Sequence, residues 1–353
     1  MDIGLLKERK VKEGRVALTP IAVSELVSSG HNVFVEKDAG LLSGFEDSDY
    51  LAVGALTDVS QADVWSKAEL IVKVKEPISS EYGFIEEKHT IFSYLHLANE
   101  PELIKRLLEV GCTAIPLENI EREGILEGLD PMSQVAGRLS ANLALNGLYS
   151  SNGGSGILLG GINDSNPGMA VVIGGGVSGM SSADELLKHG VNVIVYDIDV
   201  EKIAKINIEY ASKPLYARFS KPNCIERCME KADVVIGAVL VPGISAPKVI
   251  TKEMLKGMKP GSVLVDIAID QGGCLEGIHQ TNWDNPFYET EGKVKVFAVP
   301  NLPGAVPRTS SEAVSAVIVK HALLLANKEI TESLKGATSI KGGVIVDDRL
   351  KGE

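Results

Sequence analysis

Two groups of residues in this 353-residue sequence carry ligand-binding or reactive potential. The first is Gly174-x-Gly176-x-x-Gly179, which directly follows the apolar run Met169–Ile173 and opens a helix-like stretch reaching His189. That order predicts a strand, a tight turn and a helix. Gly174 permits the turn, Gly176 lets the backbone approach a pyrophosphate, and Gly179 lets the helix pack closely. The N–H groups at Val177 and Ser178, where that helix starts, would face the anion. The next apolar run ends in Asp197, 21 residues after Gly176. A carboxylate there accepts hydrogen bonds from ribose hydroxyls and repels a 2′-phosphate, so the register points to NAD rather than NADP.

The second group consists of charged residues at predicted strand ends. Lys75 closes LIVKVK, His96 closes TIFSYLH, and Asp270 closes the run from Ser262 to Ile269. In an open α/β sheet, ligands sit beyond the carboxyl ends of the strands. A lysine there polarises a carbonyl, and an imidazole moves protons near neutrality. Strand alternation predicts that Asp266, Ala268 and Asp270 share a face. Asp270 is then either a base or iminium stabiliser or a turn-capping carboxylate. Arg15, in the turn-like KEGRVALTP, has a planar fork that matches a carboxylate, although a loop arginine is ordinarily a solvated charge. Four cysteines, with only Cys224 and Cys228 at helical spacing, suggest structural thiols with neither a disulfide framework nor a metal site.

Elements able to hold these residues follow from the pattern of short apolar runs separated by helix-length segments, which predicts parallel sheets with right-handed crossovers. The fold class read from it is α/β, with two Rossmann-like domains. Periodicity leaves open whether the helix predicted over 309–325 returns to the first domain. The division adopted takes it so: 1–128 plus 304–353 as a discontinuous substrate domain, and 129–303 as an NAD-binding domain. Ser133 is read as the N-cap of a long helix, Gly156–Gly161 as a strand or hairpin, and the last residues as a polar tail. The formal charge of −12, with no basic block, argues against nucleic acid or an anionic membrane as partner. The start lacks a signal-peptide pattern and the longest aliphatic runs fall short of a membrane span, so a cytoplasmic protein is expected.

Taken together, KEGRVALTP, VKVKEP, YLHLA, PMSQVAGR, VIGGGVSG, GAVLVPG, LVDIAIDQGG and VPNLPGAVPRTS resemble the alanine dehydrogenase family, which is related to the nicotinamide-binding subunit of transhydrogenases. The resemblance runs from residue 1 to about 325. It implies reversible oxidative deamination of L-alanine to pyruvate and ammonium with NAD, by a homohexamer. On the matching positions it implies that Arg15 and Lys75 bind the substrate carboxylate and carbonyl oxygen, and that His96 and Asp270 form the acid–base pair. Asn301 would line the site, and Glu118 would orient Lys75. Ser133, Asp197, Lys202, Val239 and Leu240 would contact the cofactor. Asp130 and Gln134 depart from the family's pattern around PMS. The alternatives are a transhydrogenase component, a catalytically silent NAD-binding regulator, and a dehydrogenase for another small amino acid or an opine-like amine.

Overall fold

The apolar runs Asp2–Leu5 (β1), Asn32–Glu36 (β2), Leu56–Val59 (β3), Leu70–Lys75 (β4), Thr90–Tyr94 (β5) and Thr113–Pro116 (β6) form one parallel sheet. The structure is a computed structural model and describes residues 1–239 and 245–351. The strands lie in the order β6-β5-β4-β1-β2-β3. Connections therefore diverge at β1 and β4, which creates a crevice beyond their carboxyl ends. Helices border the sheet where the sequence supplies caps. Thr19 caps the helix Pro20–Ser28, and Gly111 in the left-handed region ends the helix Pro101–Val110.

Contacts divide the chain into Met1–Met132 with the segment from Gly304 onward, and Ser133–Pro303. In the first unit the returning helix Pro307–Ala326 buries Val314 and Ile318, and its His321 meets Phe92 edge-on at 6.4 Å. Ser311 and Ser315 on its buried side accept hydrogen bonds from Val16 N and Thr19 N, each at 2.9 Å. This helix is long and apolar enough to cross a membrane by length and composition, which the count of aliphatic runs overlooked. Its buried serines and core packing make it the core helix of this unit. The polar tail is also corrected. It folds into the helix Glu332–Ala337 and the hairpin Ile340–Lys341 and Val344–Ile345, which adds to β6 antiparallel through Ile340 and Ala114. One fully buried side chain, Ile340, anchors that edge, too little apolar pattern to read as a strand.

The second unit repeats the same strand order. Met169–Ile173 (β7), Asn192–Asp197 (β8), Leu215–Phe219 (β9), Val234–Gly237 (β10), Val263–Asp266 (β11), Phe287–Glu289 (β12) and Lys295–Phe297 (β13) are ordered β12-β13-β11-β10-β7-β8-β9. Among the described residues of this unit only β12 runs antiparallel. Val172, Val195, Ile236 and Val265 pack on one face, while Val171, Ile173, Val235 and Leu264 pack on the other. Both faces are covered, so the strands read as continuous apolar runs without polar alternation.

Three local expectations are corrected here. Ser133 is no N-cap, because the helix begins at Asp130 and runs to Gly147. Pro131 fits the first turn, where no intrahelical N–H is needed, and Asp130 complements the positive helix end. Gly156–Gly161 is a loop with a turn at Leu159 and Gly160 rather than a strand, with Gly156, Gly160 and Gly161 at positive φ. The strand β11 stops at Asp266, so alternation does not reach Asp270. The Asp266 carboxylate accepts N–H bonds from Ala268, Cys274 and Leu275 and turns the chain into a 3₁₀ segment, Ile267–Gln271.

Candidate active site

In the first unit, two buried carboxylates, Glu8 and Glu13, and the half-buried Glu118 hold the backbone of the residues with reactive side chains. β1 pairs with β4 only as far as Leu5 and Val72, and the β4–β5 register shifts between Val72 and Lys75. The N–H groups of Val74 and Lys75 turn instead to Glu8, at 2.6 and 3.2 Å. Glu118, just past β6, does the same for the neighbouring strand. Its oxygens accept from His96 N at 2.6 Å and Leu95 N at 3.1 Å. Glu13 accepts from Arg15 Nε at 2.7 Å and Nη2 at 2.6 Å, and from Arg15 N at 3.1 Å. Arg15 is only 3% exposed, so a paired guanidinium is what its desolvation requires.

His96 occupies the left-handed region at φ 45°, a conformation that costs a non-glycine residue on the order of 1 kcal/mol or more. Two charge-assisted bonds to Glu118, each worth about 1.5–3 kcal/mol, offset that cost. The ring stacks on Tyr94, with centroids 6.1 Å apart. Burial, followed by the charges of Lys75, Lys10 and Arg15, pushes the imidazole down to about 4. It stays 41% exposed at the side chain and is neutral, hence basic, at pH 7. Glu118 was expected to orient Lys75. Its carboxylate holds the backbone of Leu95 and His96, and burial raises its pKa while these bonds and the charge of Lys75 oppose the rise.

Substituting Glu8→Gln leaves one carbonyl oxygen for two N–H groups. We expect a loss of about 1–3 kcal/mol, the cost of an unsatisfied buried donor, measured as a lower Tm in thermal denaturation. An unchanged Tm would mean that Val74 and Lys75 find other acceptors.

In the second unit, Gly174 follows β7 at φ 104°, and an added Cβ would lie 2.4 Å from Ala238 O. At Gly179 a Cβ would lie 1.8 Å from Gly174 O, so this helix turn packs directly on the loop. Gly176 differs, since its Cβ would have no atom within 4 Å, which leaves the backbone facing an opening at the start of the helix Val177–Lys188. Val177 and Ser178 form the first turn there. Asp197, ending β8, accepts from Gly175 N at 2.8 Å, Asp199 N at 2.9 Å and Lys202 Nζ at 3.2 Å. Burial would raise its pKa, but these donors outweigh that and hold the carboxyl below its usual range. The structure thus brings Gly174, Gly176, Gly179, Asp197 and Lys202 to one strand-end region.

Asp270 is exposed, and both its oxygens accept from Asn301 N, at 3.2 and 3.1 Å. Asn301 is itself left-handed, at φ 53°. Val239 is half-buried just past β10, and Ser133 is half-buried in its helix. Leu240 lies outside the described residues.

Models of the alanine dehydrogenase/PNT N-terminal and C-terminal domains match residues 4–136 and 140–350. The chain belongs to the alanine dehydrogenase/PNT family. The chemistry of that family is NAD-dependent hydride transfer. Alanine dehydrogenase of Bacillus subtilis (strain 168) is 44% identical over 345 residues, covering 98% of this chain and 90% of that protein. Among solved structures, an L-alanine dehydrogenase superposes with a TM-score of 0.94 at 40% identity, covering 99% and 97% of the two chains. A transhydrogenase from Sinorhizobium meliloti reaches 0.84 at 25% identity, with 99% of each chain covered. The family's C-terminal domain model extends to residue 350, whereas in space the segment from Gly304 onward belongs with the N-terminal unit.

Sequence reasoning missed Glu8 and Glu13, the carboxylates that hold Lys75 and Arg15 in this family member. A signal was present in Lys73, a lysine inside the apolar run LIVKVK. It is fully buried, with its ammonium 2.8 Å from Glu81 and 4.0 Å from Glu8. A buried lysine requires a nearby acid, and only the tertiary fold says which one.

Proposed function

We propose that this chain is an NAD-dependent L-alanine dehydrogenase, which deaminates L-alanine oxidatively to pyruvate and ammonium and also catalyses the reverse reductive amination. The observation that carries this reading is the gathering of Arg15, Lys75 and His96 beyond the carboxyl ends of β1, β4 and β5, with two of these charges acting on the third. The curated alanine dehydrogenases that match across 98% of the chain support it.

The residues fit the cofactor. The open side of Gly176 leaves room for a pyrophosphate at a helix start, and Asp197 offers a buried acid to the ribose. Bound NAD would supply the hydride acceptor. Arg15, whose Nε and Nη2 are held by Glu13 and whose Nη1 meets Met132 Sδ at 3.2 Å, would bind the substrate carboxylate. Lys75 would stabilise the carbonyl oxygen as it forms. Asp270 would stabilise the positive charge of the substrate iminium, and Asn301, bonded to it, would line the site. His96, neutral at pH 7, would take a proton from the water that adds to the iminium carbon, return it to the nitrogen that leaves as ammonia, and take the hydroxyl proton as the C–N bond breaks and the carbonyl forms, passing it to solvent.

In an Asp197→Ser variant we expect the NAD Kd to rise about 10- to 100-fold, with the preference over NADP narrowed, because a charge-assisted ribose contact and a phosphate-repelling charge are both lost. Calorimetric titration with each nucleotide measures this. An unchanged preference would place discrimination elsewhere.

The likeness to the transhydrogenase structure supports a second reading, the NAD-binding part of a transhydrogenase. A screen of 2-oxo acids against ammonia and amines, followed by NADH absorbance, separates the readings. Turnover of pyruvate with ammonia supports the dehydrogenase. Turnover only with a larger amine indicates an opine-like reaction, and NAD binding without any turnover favours the second reading. A homohexamer in the cytoplasm completes the proposal, with sedimentation at six times the 37.5 kDa chain mass as its check.

A further inference from the structure

Three strands that end at reactive or positioning residues begin at a second opening. Leu70, Thr90 and Thr113, the first residues of β4, β5 and β6, line a cavity of about 400 Å³ in the first unit. Lys75, His96 and Glu118 stand at or just past the opposite ends, roughly 17–20 Å away at about 3.3 Å per residue. The cavity is therefore separate from the groups assigned to the substrate.

The charged side chains lining the cavity all have one sign. Lys328 follows the long helix, Lys335 lies in the helix Glu332–Ala337, and Lys341 lies in the edge hairpin, while no carboxylate is among the described lining residues. Lys335 pairs with the exposed Glu332 at 2.5 Å. Lys328 and Lys341 have no ion-pair partner among the described residues. This convergence from three separate elements occurs in a chain with 47 acidic and 35 basic residues. Like charges gathered in this way repel one another, and an anion relieves the repulsion. Lys328 is also left-handed, at φ 61°, so strain is held at the cavity rim.

The rest of the wall is mainly apolar, with Thr90, Thr113 and Thr338 interspersed among the aliphatic side chains. Leu70 and Leu325 are buried, and Ile330 and Val346 stay 51% and 45% exposed at the rim. A volume of about 400 Å³ is at the lower end for ligand sites, suited to a small molecule and too small for a dinucleotide. We propose that this cavity binds a small monocarboxylate with an apolar body, its carboxylate at Lys328 and Lys341 and its chain against Leu70, Leu325 and Ile330. Inorganic anions lack the part that would contact the apolar wall, and neutral apolar molecules lack the part that would meet the lysines.

Calorimetric titration of the full chain with octanoate, octanamide and inorganic phosphate tests the site. Octanoate should bind with one site per chain and more tightly than the other two. The double variant Lys328→Glu with Lys341→Glu should weaken octanoate at least about tenfold, since two attractive contacts to the carboxylate become repulsive ones. Ile330→Ser, at an exposed position, should weaken octanoate and leave phosphate unchanged. Lys75→Met should leave octanoate binding as in the parent chain. The proposal is overturned if octanoate does not bind, if octanamide binds equally well, if binding survives the lysine reversal or Ile330→Ser, or if Lys75→Met abolishes it. The test is independent of amino-acid turnover and stands or falls without the dehydrogenase reading.

Discussion

Replacing Lys75 with methionine is expected to lower kcat/KM for L-alanine by about 10³-fold or more. Removing one preorganised donor from a developing oxyanion costs about 10²–10³ in rate, and here binding of the ground-state substrate is weakened as well. Methionine keeps much of the length and apolar character of the stem, and the Glu8 carboxylate accepts from the backbone N–H of Lys75, not from its side chain, so the strand end should keep its shape. A second signature distinguishes this role from misfolding. Lys75 is the foremost of the charges that, after burial, depress His96. Without it the imidazole should titrate higher than about 4, moving toward the ordinary value near 6.5. With the neutral imidazole as the proposed base, the acidic limb of kcat/KM should move to higher pH. Residual activity with an unshifted limb would separate Lys75 from His96 and contradict the arrangement proposed for them.

The second large effect concerns the nucleotide. Gly176→Val should raise the Kd for NAD more than about 100-fold while leaving the fold intact. No atom lies within 4 Å of the position its Cβ would take, so the substitution meets no clash at Cβ. A branched side chain would fill the opening at the helix start, where the pyrophosphate must approach to meet the N–H groups. Gly179→Ala provides the contrast, because its Cβ would fall 1.8 Å from Gly174 O. That variant should unfold the loop and lower Tm as well as binding. Gly176→Val with normal Tm and normal NAD affinity would show that the cofactor lies elsewhere.

Sequence made the fold legible wherever one local pattern had one physical meaning. The apolar run before Gly174, the three glycines and the acid ending β8 each constrain the backbone locally, and all appear in register. Lys75 and His96 were legible because strand ends are marked by where an apolar run stops. Asp270 was placed on a strand because Ile267–Ile269 is apolar, yet the bonds from Asp266 to three backbone N–H groups end β11 before it. Ser133 competed with Asp130 and Pro131 as a helix start, and the pair that fits the first turn prevailed. Glu13 lies two residues from its partner Arg15, but the loop pattern does not show that the arginine is buried and needs an acid. Glu8 and the inward side of Glu118 were hidden for a different reason. A glutamate that holds a distant backbone N–H has no periodicity, and its partners are 66 residues away for Glu8 and Val74 and 22 for Glu118 and His96.

The most direct measurement is to incubate the purified chain with L-alanine and NAD and to quantify NADH, pyruvate and ammonium together. The account predicts that all three form in equal amounts, and that their rate of formation falls about 10³-fold or more in Lys75→Met. NAD binding without NADH formation from L-alanine, or NADH formation without matching pyruvate and ammonium, would contradict it.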